Sequence, residues 1–303
     1  MKNKTAVALG LFDGIHRGHR LILNKALSYK EYTPAVFTFN TQSIKFKHGK
    51  PFEYIYPNSR KLEIIRNMNF DYIESPDFDT LRNLDGESFA KYILAEKMNS
   101  GVVVCGENFR FGKNASCDTD DLIRFGRKYN FKTEVIKLAE NSGNVPVSSG
   151  IIRELLKQGR ISELSELGFC YTIKNTVAEG NKIGRTIDFP TINQNFYDGQ
   201  LVLKYGVYCS ETIIDNISYV SVTNIGVKPT VEDNIKPLAE THILGYCGNL
   251  YGTSPEVRIK DFVRSEKKFS SVDELKVQIA EDIKYIKTIS RKDWFLKCQI
   301  LKE

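Results

Sequence analysis

The chain has 303 residues, of which 41% are hydrophobic and 26% charged, and its net charge is +6. These values exclude a disordered chain and a coiled coil, and the length predicts two domains. No apolar run approaches the ~20 residues needed to cross a bilayer, no basic run of five or more occurs, and residues 1–10 are too quickly polar to resemble a signal peptide. We therefore expect a cytoplasmic protein with neither a membrane nor a nucleic-acid partner.

In the first half, short apolar runs alternate with amphipathic stretches. The apolar runs are predicted strands at Thr5–Leu11, Pro34–Phe39, Phe70–Glu74, Gly101–Cys105 and Lys132–Leu138. The amphipathic stretches are predicted helices at Leu21–Leu27, Arg60–Met68, Gly86–Met98, Asp118–Tyr129 and Ser149–Gln158. This alternation is typical of a parallel sheet covered on both faces. Ligands of such sheets bind beyond the carboxyl ends of the strands, so we expect a site there.

The second half changes character after about Gly168, where runs rich in Val, Ile, Thr and Tyr recur between Gly and Asn turns. The predicted strands are Tyr171–Val177, Gly206–Thr212, Tyr219–Ile225, Glu240–Leu244 and Glu256–Phe262. Their spacing predicts an antiparallel barrel or sandwich. A single amphipathic helix is predicted over Val272–Thr288, packed on that sheet.

The segment Gly10–His19, GLFDGIHRGH, contains the strongest local signal. A predicted strand ends there, a turn containing glycine follows, and a helix begins near Gly18. His16 and His19 are three residues apart, so both imidazoles can face one point at the helix N-terminus, which attracts anions. The segment predicts a phosphate site; the plainer interpretation is a capped turn with two solvated histidines.

A second segment, Gly106–Gly112 (GENFRFG), directly follows a predicted buried strand and should line the same cleft. Phe109 and Phe111 could flank a flat ring, and Arg110 could meet a phosphate. The alternative is a local aromatic cluster.

A third segment, Val147–Arg153, opens a predicted helix. Ser148 or Ser149 would cap that helix. Capping alone explains the serines, but it does not explain Arg153 on the next turn.

The second half holds a segment with two glycines and two cations that could close over a phosphate chain. Gly180 and Gly184 permit such a loop, and Lys182 and Arg185 add positive charge. A glycine-bearing hairpin with a polar strand face is the alternative.

Polar residues on predicted extended segments follow. Thr191 and Asn193 are two residues apart, so a hydroxyl and an amide share one face and could bind Mg²⁺ beside phosphates. Glu240 begins an apolar strand, where its carboxylate could accept the proton of an attacking hydroxyl, or could simply be solvated. His242 shares the face of Glu240, and we expect it to be structural.

These motifs resemble a known family. In their order and spacing, GLFDGIHRGH, NFRFG and SSGIIR over residues 5–165 resemble the adenylyltransferase module of the prokaryotic bifunctional riboflavin kinase/FAD synthetase family. The riboflavin kinase module of the same family is similar to residues 166–290, which contain GNKIGR, FPTIN, GVY, NIGVKPT, ETHIL, LYG and the RSEKKF run that begins at Arg264.

The resemblance implies an α/β nucleotidyltransferase-like (HxGH) parallel-sheet domain over residues 1–165. It implies a six-stranded antiparallel β-barrel riboflavin kinase domain with a C-terminal helix over residues 166–303. The implied activities are ATP-dependent phosphorylation of riboflavin to FMN by the second domain and adenylylation of FMN to FAD, with release of pyrophosphate, by the first. The implied partners are ATP, riboflavin and FMN, with Mg²⁺ as cofactor. The oligomeric state is left open.

The resemblance also implies residue roles. As catalytic residues, His16 and His19 would hold ATP phosphates and Glu240 would be the general base. Thr191 and Asn193 would bind Mg²⁺. The implied substrate and ATP ligands are Gly10, Phe12, Asp13, Asn108, Phe109, Arg110, Ser148, Ser149, Arg153, Gly180, Lys182, Gly184, Arg185 and Arg264.

The sequence departs from the family pattern mainly in the first half. Residues Thr38–Ser43 (TFNTQS) replace a Thr-Phe-x-Pro-His-Pro pattern, and the other differing positions are Asn108, Ala115, Cys117 and Gly150. These departures leave two alternatives open. One is a riboflavin kinase whose adenylyltransferase half is impaired or retuned, and the other is a flavin-sensing regulator without catalytic activity.

Overall fold

A computed structural model describes residues 3–47, 49–137, 147–179, 189–228 and 236–297. The chain divides into two compact units, Met1–Ile151 with Gly199–Leu201 and Ile152–Asp198 with Val202–Glu303. The division falls inside a helix, and the domain boundary between residues 165 and 166 stays a prediction.

The first unit is built on a five-stranded parallel sheet with the order β5-β2-β1-β6-β7. Its strands are β1 Thr5–Leu9, β2 Thr33–Phe37, β5 Tyr72–Glu74, β6 Ser100–Gly106 and β7 Lys132–Ile136. A separate two-stranded hairpin consists of β3 Phe46–Lys47 and β4 Lys50–Pro51. The parallel sheet predicted from the apolar runs is therefore confirmed.

Helices connect the strands of this sheet. They are α1 Arg17–Leu27, α2 Asn58–Arg66, α3 Phe78–Leu81, α4 Gly86–Ser88, a π-helix at Phe89–Lys97, α5 Thr119–Tyr129 and α6 Ser149–Gln158, the last of which crosses into the second unit. The single helix predicted over 86–98 is thus a short α-helix and then a π-helix. The buried residues Ala90, Leu94 and Met98 are four apart, and Phe89 and Leu94 are five apart. A spacing of four is also that of an α-helix, so the sequence does not distinguish the two kinds of helix here.

β1 lies at the centre of the sheet and is buried along its whole length. Val7 and Leu9 pack into an apolar cluster on one face, while Ala6 and Ala8 pack into another on the opposite face. Because successive side chains of a strand point to opposite faces, a strand covered on both sides must be apolar throughout. This explains the uninterrupted run at the start of the chain.

The second unit is a curled antiparallel sheet, a half-barrel, with the order β8-β14-β11-β12-β13-β10-β9. Its strands are β8 Thr172–Ile173, β9 Val177–Ala178, β10 Thr191–Asn195, β11 Gly206–Ile214, β12 Ile217–Lys228, β13 Lys236–Ile243 and β14 Glu256–Ser265. One helix, α7 Val272–Lys297, follows.

The predicted count of six strands differs from the seven strands that the described residues form. The strand predicted over Tyr171–Val177 is in fact β8 and β9, which lie at opposite edges of the sheet. Asn175 lies between them, where its side chain donates a hydrogen bond to the carbonyl oxygen of Asn195 at 2.5 Å. The side chain of Gln194 in turn donates to the carbonyl of Asn175 at 2.7 Å. These bonds separate two short strands where the composition alone indicates one.

The helix predicted to pack on the sheet does so. On α7, Ile286 is fully buried against Val207, Cys209 and Val222 of β11 and β12. The opposite face of these strands and of β13 carries a buried chain of five hydroxyl groups joined by hydrogen bonds of 2.7–2.9 Å, in the order Thr212, Ser221, Ser210, Thr223 and Thr241. The polar residues of these strands are therefore compatible with burial because each hydroxyl has a partner.

Candidate functional site

The turn after β1 has a strained backbone. Phe12 and Ile15 have positive φ angles of 52° and 45°, and Gly14 between them has a φ of 89°. Left-handed conformations cost non-glycine residues about 1 kcal/mol or more, and such strain is concentrated at functional sites. The sequence indicates a turn here through Gly14, but the strain at Phe12 and Ile15 is visible only in the structure.

Asp13 holds this turn in place. Its buried carboxylate accepts hydrogen bonds from the backbone N–H groups of Ile55, at 2.9 Å, and Tyr56, at 3.4 Å. Its carbonyl oxygen accepts a hydrogen bond from the Ser149 hydroxyl at 2.8 Å. The structure therefore brings Ser149 to the turn. Ser148 caps α6 by accepting the N–H of Ile151 at 3.4 Å.

His16 and His19 lie together at the start of α1. Their rings are stacked, with centroids 3.7 Å apart and planes inclined by 24°. His16 is the N-cap residue of α1 and is buried. A Cβ atom at Gly18 would lie 3.3 Å from the His16 ring, so the small residue between the histidines leaves space for this arrangement. Two imidazoles at a helix N-terminus can bind phosphate oxygens.

The loop after β6 supplies the second segment. Asn108 and Arg110 are exposed, and Arg110 forms an ion pair with Asp118 at 3.0 Å. The rings of Phe109 and Phe111 stack directly on each other, with centroids 5.7 Å apart. A flat ring between them would require a spacing of about 7 Å. The prediction that these two side chains flank a ligand ring is therefore wrong; Phe111 is buried in the core.

The loop after β2 departs from the family pattern but is well connected. Asn40 donates to the Asp77 carboxylate at 2.8 Å, and its own side-chain oxygen accepts the N–H of Gln42. Ser43 accepts the N–H of Phe78 at 2.8 Å. The residues that replace Pro-His-Pro thus fix the loop through hydrogen bonds.

Lys61 is a residue that the motif analysis missed. It lies on α2 with no exposed surface, and its ammonium donates to the Thr38 hydroxyl at 3.0 Å and to the carbonyl oxygens of Leu11 and Phe39. Burial lowers the pKa of Lys61 to about 7, and the nearby Asp13 carboxylate opposes that shift. The sequence contains one indication of its burial. Lys61 precedes the core residue Ile65 by four positions, and residues with this spacing lie on the same face of a helix.

In the second unit, three neighbouring strands bring polar residues into one row. Asn193 on β10 pairs with Glu240 on β13, and Glu240 pairs on its other side with Asn224 on β12. Thr191 pairs with His242. Directly opposite residues present their side chains on the same face with Cβ atoms about 5 Å apart. The structure therefore brings Thr191, Asn193 and Glu240 together on one face of the sheet.

Asn193 shows a specific sign of a ligand. It is only 7% exposed, and within the part of the chain that the structure describes its Oδ1 atom accepts no hydrogen bond. A buried amide oxygen without a partner is unfavourable. Mg²⁺ prefers oxygen ligands, so Asn193 Oδ1 and the Thr191 hydroxyl fit this ion. Clusters of three or more His, Cys, Asp or Glu side chains suited to a metal are absent from the described ranges.

His242 positions the start of β10. Its Nδ1 atom lies 2.8 Å from the carbonyl oxygen of Pro190, and its ring meets Phe189 edge to face at 5.5 Å. These contacts fix the residue that precedes Thr191. They support the expectation that His242 is structural and supply the partner that the sequence did not reveal.

Known proteins resemble the chain in both halves. A family model described as FAD synthetase matches residues 1–150, and one described as riboflavin kinase matches residues 167–290. A bifunctional riboflavin kinase/FMN adenylyltransferase from Buchnera aphidicola subsp. Schizaphis graminum is 31% identical, covering 95% of this chain and 94% of the relative. The chain belongs to this bifunctional family. Another family member, from Escherichia coli K12, is 32% identical, covering 91% of this chain and 90% of the relative.

A solved structure has a similar fold to this chain along nearly its whole length. The crystal structure of a macrolide-efflux protein from Streptococcus pneumoniae has a TM-score of 0.80 and 24% identity, covering 96% of this chain and 95% of the other. At this identity the likeness concerns the fold alone. None of the helices in the described ranges is long and apolar enough to cross a membrane.

Three predicted site elements of the bifunctional enzyme remain as predictions. The loop residues Gly180, Lys182, Gly184 and Arg185 lie outside the described residues. Arg153 is on α6, four residues after Ser149 and so on the same side of that helix. The guanidinium of Arg264 donates hydrogen bonds to Asp282 on α7, and its role on the flavin side stays a prediction.

Proposed function

We propose that this chain makes FMN from riboflavin in its second half and FAD from FMN in its first half. The observation that carries the proposal is the row Asn193–Glu240–Asn224, which supplies both a cation ligand and a base in a chain whose two halves match the two family models. Because the FAD synthetase model matches residues 1–150, the alternatives of an impaired first half or a non-catalytic regulator are not favoured.

The kinase reaction uses Glu240 as general base. Its carboxylate accepts the proton of the 5′-hydroxyl of the ribityl chain while that oxygen bonds to the γ-phosphorus of ATP. The bond between the γ-phosphorus and its bridging oxygen breaks, and ADP leaves. General-base catalysis of this kind contributes typically 10²–10⁴-fold. Asn193 lies directly opposite Glu240 and, as a ligand of the cation, would hold the phosphate end of ATP near the base.

Mg²⁺ is part of this proposal. Asn193 Oδ1 and the Thr191 hydroxyl would hold the ion together with phosphate oxygens. When bound, the ion neutralises charge on the transferring phosphate and orients it. Gly180, Lys182, Gly184 and Arg185 are proposed to cover ATP.

The adenylyl transfer needs no covalent enzyme intermediate. A phosphate oxygen of FMN bonds to the α-phosphorus of ATP, the bond from that phosphorus to the bridging oxygen breaks, and pyrophosphate leaves. His16 and His19, with the N-terminus of α1, stabilise the phosphate charge. Gly10, Phe12 and Asp13 shape that turn. The proposed further ligands are Asn108, Phe109, Arg110, Ser148, Ser149 and Arg153, with Arg264 on the flavin side of the kinase.

The test is a time course of flavin products. The purified chain is incubated with riboflavin, ATP and Mg²⁺, and the flavins are separated by chromatography. FMN that appears first and is then converted to FAD supports both activities. FMN that accumulates without FAD overturns the adenylyltransferase half, and unchanged riboflavin overturns the kinase half.

We also propose that the chain works in the cytoplasm, where ATP is available.

A further inference from the structure

Lys61 is a buried cation placed between two loops of the first unit. Its three N–H donors meet three oxygen acceptors, which belong to Leu11, Thr38 and Phe39. Leu11 is the second residue after β1, and Thr38 and Phe39 are the first two after β2. The side chain therefore connects the carboxyl ends of two adjacent parallel strands, at the edge of the sheet where ligands bind.

The connection to the β2 loop is reinforced by a second contact. The Thr38 hydroxyl accepts from Lys61 and donates to the Leu11 carbonyl oxygen at 2.8 Å. Thr38 and Lys61 thus both bind Leu11, and neither has any exposed surface. The two side chains form a small closed arrangement of hydrogen bonds between the loops.

A gain in stability does not explain why a lysine is buried at position 61. Within the described residues no carboxylate is bonded to Lys61, and Asp13 acts on it only through its charge. A buried ammonium without a bonded counter-ion is destabilising relative to an apolar side chain of similar shape. A lysine at this position instead provides one N–H donor for each of the three oxygen atoms of the loops.

The segment that begins at Leu11 is the strained turn that leads to the histidines. It includes the left-handed Phe12 and Ile15 and ends at His16, the N-cap of α1. Strained turns persist only when their surroundings hold them. Hydrogen bonds with Ile55 and Ser149 hold the turn at Asp13. The hydrogen bond from Lys61 to Leu11 holds it at its start.

We propose that Lys61 is a positioning residue for adenylyl transfer, whose ammonium holds the turn that leads to His16 and His19 against the loop after β2. The proposal rests on the proposed function of the first half. Lys61 acts through Leu11 and Thr38 and does not itself touch the substrate. It therefore affects the rate of the transfer more than the binding of ATP or FMN.

The experiment compares Lys61→Met with Lys97→Met in the full chain. Lys61→Met keeps an unbranched side chain of similar length but removes the charge and the donors, and Lys97→Met removes an exposed lysine of the same unit. For Lys61→Met we expect kcat for FAD formation from supplied FMN to fall at least tenfold, with KM values for ATP and FMN changed less than threefold. Riboflavin phosphorylation by the same protein should be unchanged, as should both activities of Lys97→Met.

A second variant covers the case in which Lys61→Met does not fold. Thr38→Val keeps the shape and removes the hydroxyl that joins Lys61 to Leu11, so kcat for FAD formation should fall three- to tenfold. A folded Lys61→Met protein with wild-type kcat overturns the positioning role and leaves the proposed function intact. If Lys61→Met does not fold and Thr38→Val has wild-type kcat, the role is also overturned. A wild-type chain that makes no FAD from FMN overturns both.

Discussion

The guanidinium of Arg264 on β14 holds the carboxylate of Asp282 on α7 through two nitrogen atoms. Nε lies 3.0 Å from Oδ1, and a terminal nitrogen lies 2.7 Å from Oδ2. The Asp282 side chain is 5% exposed and that of Arg264 22%. Paired, planar contacts of this kind are among the stronger charge-assisted hydrogen bonds. They attach the C-terminal helix to the sheet beside the apolar contact of Ile286.

Asp282→Asn should therefore destabilise the second unit. Removing one partner of a mostly buried pair leaves an uncompensated charge, and because Arg264 is partly exposed we expect a loss of about 2 kcal/mol in the free energy of unfolding. Urea unfolding followed by circular dichroism measures the loss. The control is Asp273→Asn, an acidic residue in the first turn of the same helix and away from Arg264. Equal midpoints for the two variants would show that the pair contributes nothing particular.

Glu240→Gln should abolish FMN formation. The amide cannot accept the proton of the riboflavin hydroxyl, so we expect a loss of 10²–10⁴-fold in kcat. FAD formation from supplied FMN should be unaffected. Glu256→Gln, which alters a carboxylate on β14 that pairs with Arg258, serves as the matched control. Retained kinase activity in Glu240→Gln would remove the residue from the reaction.

His19→Ala should have the opposite effect. Loss of one donor to the phosphates is expected to lower FAD formation by about 10²-fold or more. Riboflavin phosphorylation by the same preparation is the internal control, since it reports whether the protein is folded. A parallel fall in both activities would indicate a general loss of structure.

Much of the fold could be predicted from the sequence because local periodicity determines it. The helix predicted over Ser149–Gln158 has these bounds in the structure, and the central strand β1 was evident from its apolar run. That strand ends at Leu9 rather than Leu11, and the Leu11 carbonyl oxygen accepts hydrogen bonds from the Thr38 and Lys61 side chains instead.

The candidate site was only partly predictable, for a different reason. Residue types identified the histidines and Glu240, but the pairing of Asn193 with Glu240 is a register between strands that are distant in sequence. The hydrogen bonds of Lys61, and the hydrogen bond from the Ile55 N–H to Asp13, likewise join segments that are distant in sequence. The spacing of residues along one segment does not contain this information.

Asn193→Ala should raise the Mg²⁺ concentration that the kinase step requires. The variant lacks the buried amide oxygen, so a ligand of the ion is lost; we expect the half-maximal Mg²⁺ concentration to rise tenfold or more. The measurement is a Mg²⁺ titration of FMN formation at saturating ATP. Asn195→Ala, which removes an exposed side chain at the end of the same strand, is the control. An unchanged Mg²⁺ dependence in Asn193→Ala would exclude Asn193 as a ligand.

The stability of the first unit should increase from pH 7 to pH 9. Lys61 has a pKa of about 7 when folded and an ordinary value of 10.5 when unfolded. Between these values the unfolded chain binds the extra proton, so raising the pH favours the folded state, by up to about 1.4 kcal/mol per pH unit. Lys61→Met should lack this contribution. Urea midpoints of both proteins at pH 7, 8 and 9 test it, and parallel pH dependences would contradict the assignment.

The position of β1 between β2 and β6 has a consequence for the chain as it is synthesised. The residues of the HxGH turn leave the ribosome early, but their strand needs a neighbour that ends at Gly106, and the Asp13 carbonyl receives its bond from Ser149. Domains generally fold as units during synthesis. The turn that leads to His16 and His19 can therefore reach the arrangement described here only once about the first 150 residues are available, although it is synthesised among the first.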